Sequence, residues 1–434
     1  MRQILFLALL LFLSGEASAQ LFSGRFVTTL YSYQQYDTTN SSKLSLRGYE
    51  AMQLNFGNSR YQLHSYLLAT NDFLTRLSGD PRLRAANLYV EIRNLGDVFT
   101  LKLGRQPVFS RVGVSAVDGL SADARLIDDK VKITLFGGIL PPYDESVKIN
   151  SNIKNNNLIG AQASYSPVEG LSFTGSYVNK NFKPESYYAL RRDTLGSPSD
   201  VRTVLVDPSS VANQFVSGDI FYYNEKASGY LRVDYDLNFS KFNRTEASLR
   251  YSIFRPLVLN VEYFHRDSRL PFNSIFSVFD HSGTDEYDIG VNYLFASDIT
   301  FFVSAGKVYY TGDNASQISV GGTYRLFSIT YSHNDGFAGN LNGVSAQILY
   351  PLFNRKLILI GAASFSDYRY LQGQSDLTRI YSGTLGLTFR PMSLLSFDIQ
   401  AQYLRNPVYL NDMRGYLRVN YYFFRNLAWF SKGE

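Results

Sequence analysis

The side chains with chemical reach in this chain are charges set two residues apart. Arg232, Asp234 and Asp236 follow this spacing, as do Glu91 and Arg93, while Lys102, Arg250, Asp398 and Arg418 each sit between apolar neighbours. In an extended chain, alternate residues share a face. Opposite signs on one face can close an ion-pair ladder, and charges lining a wet passage select ions electrostatically. A second group is denser. The stretch LKLGRQPVFSRVGVSAVDG, residues 101–119, carries Arg105, Arg111 and Asp118, with Asp123 just beyond. Here an alternating strand reaches Gly104 and breaks at Pro107, and the question is whether Arg105 merely ends a strand in water or projects into something.

Catalytic chemistry is poorly served. There is no GxSxG elbow, and His64, His265, His281 and His333 are dispersed with no HExxH pair. The stretch YSHNDG, residues 331–336, is loosely similar to the histidine-serine-asparagine-glycine stretch of the outer-membrane phospholipase. Asn334 and Asp335, however, follow His333 where that family needs a serine nucleophile. Asp144, Glu145, Asp285, Glu286 and Asp288 offer the oxygens a calcium ion wants, but in no calcium-loop spacing. Solvated loop charge accounts for them. No enzyme activity, cofactor or metal is expected.

Period two dominates the elements that must position these charges. In residues 394–405, Leu395, Phe397, Ile399, Ala401 and Tyr403 oppose Ser396, Asp398, Gln400 and Gln402. In 229–238, Leu231, Val233, Tyr235 and Leu237 oppose Arg232, Asp234 and Asp236; in 246–254, Ala247, Leu249, Tyr251 and Ile253 oppose Glu246, Ser248, Arg250 and Ser252. A helix would scatter both sets. Tight links such as 57–60, 95–97, 128–130 and 353–355 alternate with longer polar ones at 37–43, 73–84, 141–156, 268–285 and 371–378, the longest spanning 182–213.

Short turns at one rim and long loops at the other describe a transmembrane antiparallel up-and-down β-barrel. About 22 strands leave roughly 19 residues for each strand with its loop, enough for the ~9–11 that a spanning strand needs. The hairpins at 215–238 and 317–334 are the less regular ones; dropping one or both gives 20 or 18. The competing fold, a soluble β-sandwich, seldom runs so many hairpins in sequence. Faces follow from charge: Lys or Arg toward lipid costs about 2–4 kcal/mol near the midplane, so the charged parity must point inward.

Composition fits. Tyr (33) and Phe (32) far outnumber Trp (1), charged residues make 18%, and there is no cysteine. The absence of cysteine excludes a disulfide scaffold and thiolate metal sites. A net charge of +5 without basic runs gives no nucleic-acid signature. Residues 1–19 combine Arg2, an apolar run over 4–13 and small residues at Ala17 and Ala19, the pattern of a cleaved signal peptide. The expected barrel therefore covers 20–424, with 425–434 as a periplasmic tail or the end of the last strand.

Two resemblances follow. RGYLRVNYYFF, residues 414–424, resembles the aromatic-rich closing strand of Gram-negative outer-membrane proteins. That resemblance implies an outer-membrane location and handling by the barrel-assembly machinery. LKLGRQ (101–106), VDGL (117–120) and TLFGG (134–138) resemble the corresponding stretches of the Gram-negative porins. Carried over, Arg105 is a wall arginine at a constriction, Arg111 its neighbour, and Asp118 and Asp123 acidic counterparts. Two departures stand out: the strand number exceeds the usual porin count, and the loop 107–116 is short and lacks a carboxylate. Arg105 also shares parity with Leu103, which faces lipid. A bulge at Gly104 or Pro107 would turn it into the lumen; otherwise it sits at the outer rim.

The resulting expectation is a porin-like passive channel for small polar or charged solutes, in contact with outer-membrane lipid and with no nucleic-acid partner. The alternatives are a plugged docking barrel in an envelope or secretion assembly and, last, a lipid-modifying enzyme. A TonB-dependent transporter is disfavoured, because the first strand begins by Gly24 and leaves no room for a plug domain.

Overall fold

The computed structural model describes residues 20–36, 41–74, 80–150, 152–184, 186–192, 201–208, 211–270, 282–337, 339–369, 377–407 and 410–427. Residues 1–19, where the sequence predicts a signal peptide, residues 428–434 and His281 lie outside these. Among the described residues, 22 strands form one antiparallel sheet. The first strand, Gln20–Tyr36, pairs with its sequence neighbour Ser42–Gly57 and with the last strand, Asp412–Leu427. That second pairing closes the sheet, which removes the exposed edges that an open sheet would offer to other chains. The chain is therefore a closed 22-stranded antiparallel barrel. Both less regular hairpins are present, as Val211–Tyr223 with Ala227–Asp236 and Asp313–Tyr324 with Phe327–Gly336.

The last strand runs to Leu427, which faces Gln20. The long connection after residue 182 holds a further hairpin, Tyr187–Arg192 with Val201–Val206, outside the barrel sheet. The sequence reading treats that segment as loop throughout, because its strands are only six residues each and carry no sustained alternation.

The two faces separate as charge requires. One hydrogen-bonded row crosses Lys102, Ser121, Phe136, Gly160, Val178, Phe215 and Asp236 on seven successive strands of the barrel. Its charged ends mark it as inward. The opposite parity carries Leu103 and Leu120, opposed in register and 47% and 49% exposed. Apolar surface left bare around the whole circumference is a lipid-facing surface, since in water it would drive aggregation. Aromatic groups stand near both rims of that outer face: Phe22, Phe26 and Phe423 near the turn rim, and Tyr263, Tyr287 and Tyr309 near the loop rim, with ring centroids 4.9–6.0 Å apart.

Candidate functional site: a hairpin folded into the lumen

Strand Phe99–Ser110 pairs with Arg82–Leu95 only as far as Arg105, opposite Leu88. Its hairpin partner, Gly113–Leu126, pairs with Val131–Ile139 only as far as Asp118. Beyond these two residues the arms stay paired with each other, to Ser110 opposite Gly113. The whole hairpin 106–117 thus leaves the barrel wall at one level. The sequence reading ends the strand near Pro107 and expects a loop over 107–116. Instead the strand continues to a two-residue turn at Arg111 and Val112. Alternation counted back from the Ser110–Gly113 pair aims the amide position of residue 107 at the edge where no strand follows. The N–H that proline lacks is not missed there.

Glycines form the hinge. Gly104 has φ +125°, a region that L side chains rarely adopt, and a Cβ there would lie 2.4 Å from the Leu88 carbonyl oxygen. Opposite it, Gly119 approaches Gly137 and Gly138 so closely that a Cβ would lie 2.1 Å from the Gly137 oxygen. The row Tyr89–Gly104–Gly119–Gly138 can fold where bulkier residues would collide.

Past the hinge, the hairpin lies on the inner wall. Val108, Val112 and Val117 are buried against Phe136, Leu158, Val178 and Phe215, several of them members of the inward row. At the tip, Arg111 Nε stands 2.9 Å from a carboxylate oxygen of Asp219, whose side chain is fully buried. Among the described residues, neither oxygen of the Asp219 carboxylate has a regular hydrogen bond, so the contact with Arg111 is chiefly one of charge. Arg269, from the segment after strand Leu257–Arg266, donates to the Val112 carbonyl at 2.6 Å, to Asn243 Oδ1 at 2.8 Å and to Asp234. Its burial lowers its pKa and Asp234 raises it. Asp234 is itself fully buried, and accepts from Arg232 at 2.9 and 2.7 Å and from Ser217 at 2.6 Å. Two cations and a hydroxyl around one carboxylate anchor the tip to strands Val211–Tyr223 and Ala227–Asp236.

Arg105 sits at the fork itself. It is 7% exposed. Its guanidinium donates to both oxygens of Asp118 at 2.6 and 2.8 Å, and to the carbonyls of Ala85, Glu145, Ser146 and Lys148 at 2.6–3.3 Å. The last three belong to the segment 141–150, which fills the wall position that the hairpin vacates: Ala85 N donates to Glu145 O, and Arg84 bridges to Ser146. The kink at Gly104 exists, yet it sends the hairpin inward and leaves Arg105 behind in the wall. Arg105 reaches neither the lumen nor the outer rim.

Of the other sequence candidates, Lys102 with Asp123 and Glu91 with Arg93 form pairs, and the rest stand apart. Lys102 faces Asp123 at 3.5 Å, and Asp123 also accepts from Thr134 at 2.6 Å. Glu91 accepts from Arg93 at 2.9 and 2.6 Å and contacts His64 at 3.1 Å. Asp236 caps its own turn by accepting from the amides of Asn238 and Phe239 at 2.9 and 3.2 Å. Asp398 accepts from Thr388 and Asn420 at 2.6 and 3.2 Å. Arg250 and Arg418 stand on the same inward parity, away from the hairpin. Asp219 and Arg269 escape the sequence reading. Asp219 opposes Val216, Ile220 and Tyr222 in parity and could have been found that way; Arg269 lies in a segment with no periodicity at all. His333 packs its Nδ1 2.8 Å from Asn342 Oδ1 on a strand. Among the described residues, no three His, Cys, Asp or Glu side chains cluster closely enough to hold a metal ion.

A closed 22-stranded wall with one hairpin tucked inside decides the architecture. The fold is that of an outer-membrane β-barrel. A mutant of the ferric enterobactin receptor PfeA from Pseudomonas aeruginosa matches with a TM-score of 0.57 at 9% identity, over 94% of this chain and 81% of that one. The P pilus usher PapC translocation pore gives 0.49 at 10% identity, over 92% and 99%. OpdO of Pseudomonas aeruginosa gives 0.43 at 10% identity, over 93% and 97%. At such identity the likeness to PfeA is one of fold alone, and the other two are weaker still. No family model and no curated protein matches the sequence.

Proposed function

We propose that this protein is a passive channel of a bacterial outer membrane, conducting small polar or charged solutes past the hairpin 106–117. The observation that carries the reading is the hairpin's departure from both wall neighbours and its seating on charged inner-wall residues. Twenty-two strands about 4.8 Å apart and tilted about 40° enclose a ring roughly 44 Å across, backbone to backbone. An arm from Arg105 to Ser110 reaches only about 17 Å at ~3.4 Å per residue. The hairpin therefore narrows one sector and leaves open space beside it. Around that space the wall residues Lys102, Asp123, Glu91, Arg93, Arg232, Arg250, Asp398 and Arg418 present both signs of charge, which favours polar solutes over apolar ones.

Arg105 and Asp118 serve this channel as the bolt of the hinge, and Arg111 with Asp219 as its latch. The second reading, a docking barrel, draws on the extra hairpin Tyr187–Arg192 with Val201–Val206, which stands outside the barrel sheet. Single-channel recording of the refolded full chain in planar bilayers separates the two. Stepwise conductance supports the channel; a silent, correctly folded barrel overturns it.

A further inference from the structure

Away from the hairpin tip, strands Gln20–Tyr36, Ser42–Gly57, Tyr61–Asp72, Arg82–Leu95 and Asp412–Leu427 line a cavity of about 780 Å³ on the inner wall. Its cations differ from those around the hairpin, where Arg105, Arg111, Arg232 and Arg269 all face carboxylates. Arg25 and Arg418 line the cavity, and Arg47 stands beside it, level with Tyr31. None of the three forms an ion pair among the described residues; the Nε of each is buried without a hydrogen-bond partner, and Arg25 spends one Nη2 donor on Asn420 Oδ1 at 2.6 Å. Each lies over a tyrosine ring instead: Arg25 over Tyr422 at 5.1 Å, Arg47 over Tyr49 at 5.6 Å and Arg418 over Tyr416 at 5.0 Å. A stacked guanidinium keeps its planar fork of donors aimed and loses little freedom when it binds an anion.

The three stand in order down the wall. Arg47 is level with Tyr31, Arg418 with Thr29, and Arg25 is on the same first strand. At ~3.4 Å per residue these levels are separated by about 7 and then about 14 Å. The nearby carboxylates are already engaged: Asp398 accepts from Thr388 and Asn420, Asp72 from the Leu74 amide, and Glu91 from Arg93. Between the cations the polar Thr29, Gln53, Asn55 and Asn87 alternate with the rings of Tyr49 and Tyr66 and with the smaller apolar side chains of Val27, Ala51 and Leu68. An apolar acid would leave those amides and hydroxyls unmatched. A polyhydroxylated one would match them, with its flat ring faces against the tyrosines and its carboxylate on a guanidinium fork.

We infer that the wall strip Arg47–Arg418–Arg25 with its tyrosines binds acidic sugars and hands them down the barrel. This rests on the channel reading only in taking the strip to lie along a solute path; binding itself is measured separately. The refolded full chain in detergent micelles is titrated calorimetrically with glucuronate, glucose and acetate. Glucuronate should bind most tightly. Arg418→Gln and Arg25→Gln should each weaken it about tenfold, the scale of one charge-assisted hydrogen bond, while Lys130→Gln, in a distant turn, leaves it unchanged. Heat-modifiable gel migration certifies that each variant is folded. Equal binding of acetate or glucose, or folded arginine variants that bind glucuronate as well as the parent, overturns the inference. Loss of bilayer conductance with binding retained overturns only the channel.

Discussion

Arg105→Ala is the substitution that most directly tests the hinge. Arg105 makes two hydrogen bonds to Asp118 and four to backbone carbonyls, inside a wall where its own exposure is 7%. Truncation leaves the Asp118 carboxylate, 11% exposed, without its cation. Breaking a buried ion pair from one side costs about 3–5 kcal/mol. At ~1.4 kcal/mol per factor of ten, the ratio of seated to released hairpin falls by roughly 10²–10⁴. The ladders between the other strands are untouched, so the barrel survives while the hairpin samples the lumen. In single-channel records this appears as added open-channel noise and discrete higher-conductance events. The thermal unfolding midpoint should move far less than the gating.

A companion variant separates the charge effect from lost packing. Removing both partners, as in Arg105→Met with Asp118→Leu, eliminates the orphan carboxylate, and such paired replacement is often close to neutral. Its records should be quieter than those of the single variant. The reasoning is refuted if Arg105→Ala folds, inserts and conducts with the parent's step size and noise. It is equally refuted if the double variant is as disturbed as the single one.

Other outcomes follow from the same geometry. Asp219→Asn weakens the grip on Arg111 and should raise the frequency of the same high-conductance events, with cation preference reduced in reversal-potential measurements. Gly119→Val drives a side chain into the Gly137 carbonyl, where even a Cβ would sit 2.1 Å away, and should abolish the heat-modifiable folded form on gels. Asp144 accepts the Ser146 amide at 3.0 Å, and that hydrogen bond holds its carboxyl below the ordinary carboxylate value. Its contribution to the segment that covers Arg105 is therefore full above the ordinary value of about 4 and lost as pH falls through the lower folded value. Channel noise should rise on acidification below about pH 4, and Asp144→Asn should remove that component while raising noise at neutral pH.

Much of this molecule is legible in its sequence because a barrel imposes a period of two on every strand. Leu395, Phe397 and Ile399 against Ser396, Asp398 and Gln400 state a strand and its faces together, and the lipid penalty on charge says which face is inside. The same rule, applied strictly, places Arg105 beside Leu103 on the outward parity, and the register agrees: Leu103 opposes Leu120, and Arg105 opposes Asp118 two positions on. What alternation cannot say is that the pairing with both neighbouring strands stops there. Pairing between strands is a long-range property, and the end of two ladders at one level is written in Gly104, Gly119 and Gly138 only once their registers are known.

The fate of Arg105 shows why parity alone misjudges such a site. A guanidinium on a lipid-facing position is costly only while lipid can reach it. Here the departing hairpin opens the wall, and the segment 141–150 closes it again with backbone carbonyls turned toward the charge. Those carbonyls need donors of their own, since a wall carbonyl without one is penalised as the charge is. The arginine and the segment thus resolve one another's deficits, and both exist because the hairpin has gone inward. Lys102, one register step from Leu103, needs no such device: it faces the lumen and finds Asp123 across the strand. A charge in a barrel strand therefore reports pore chemistry only where both neighbouring ladders continue past it. Where they end together, as at Arg105 and Asp118, it reports the hinge of an element that has left the wall.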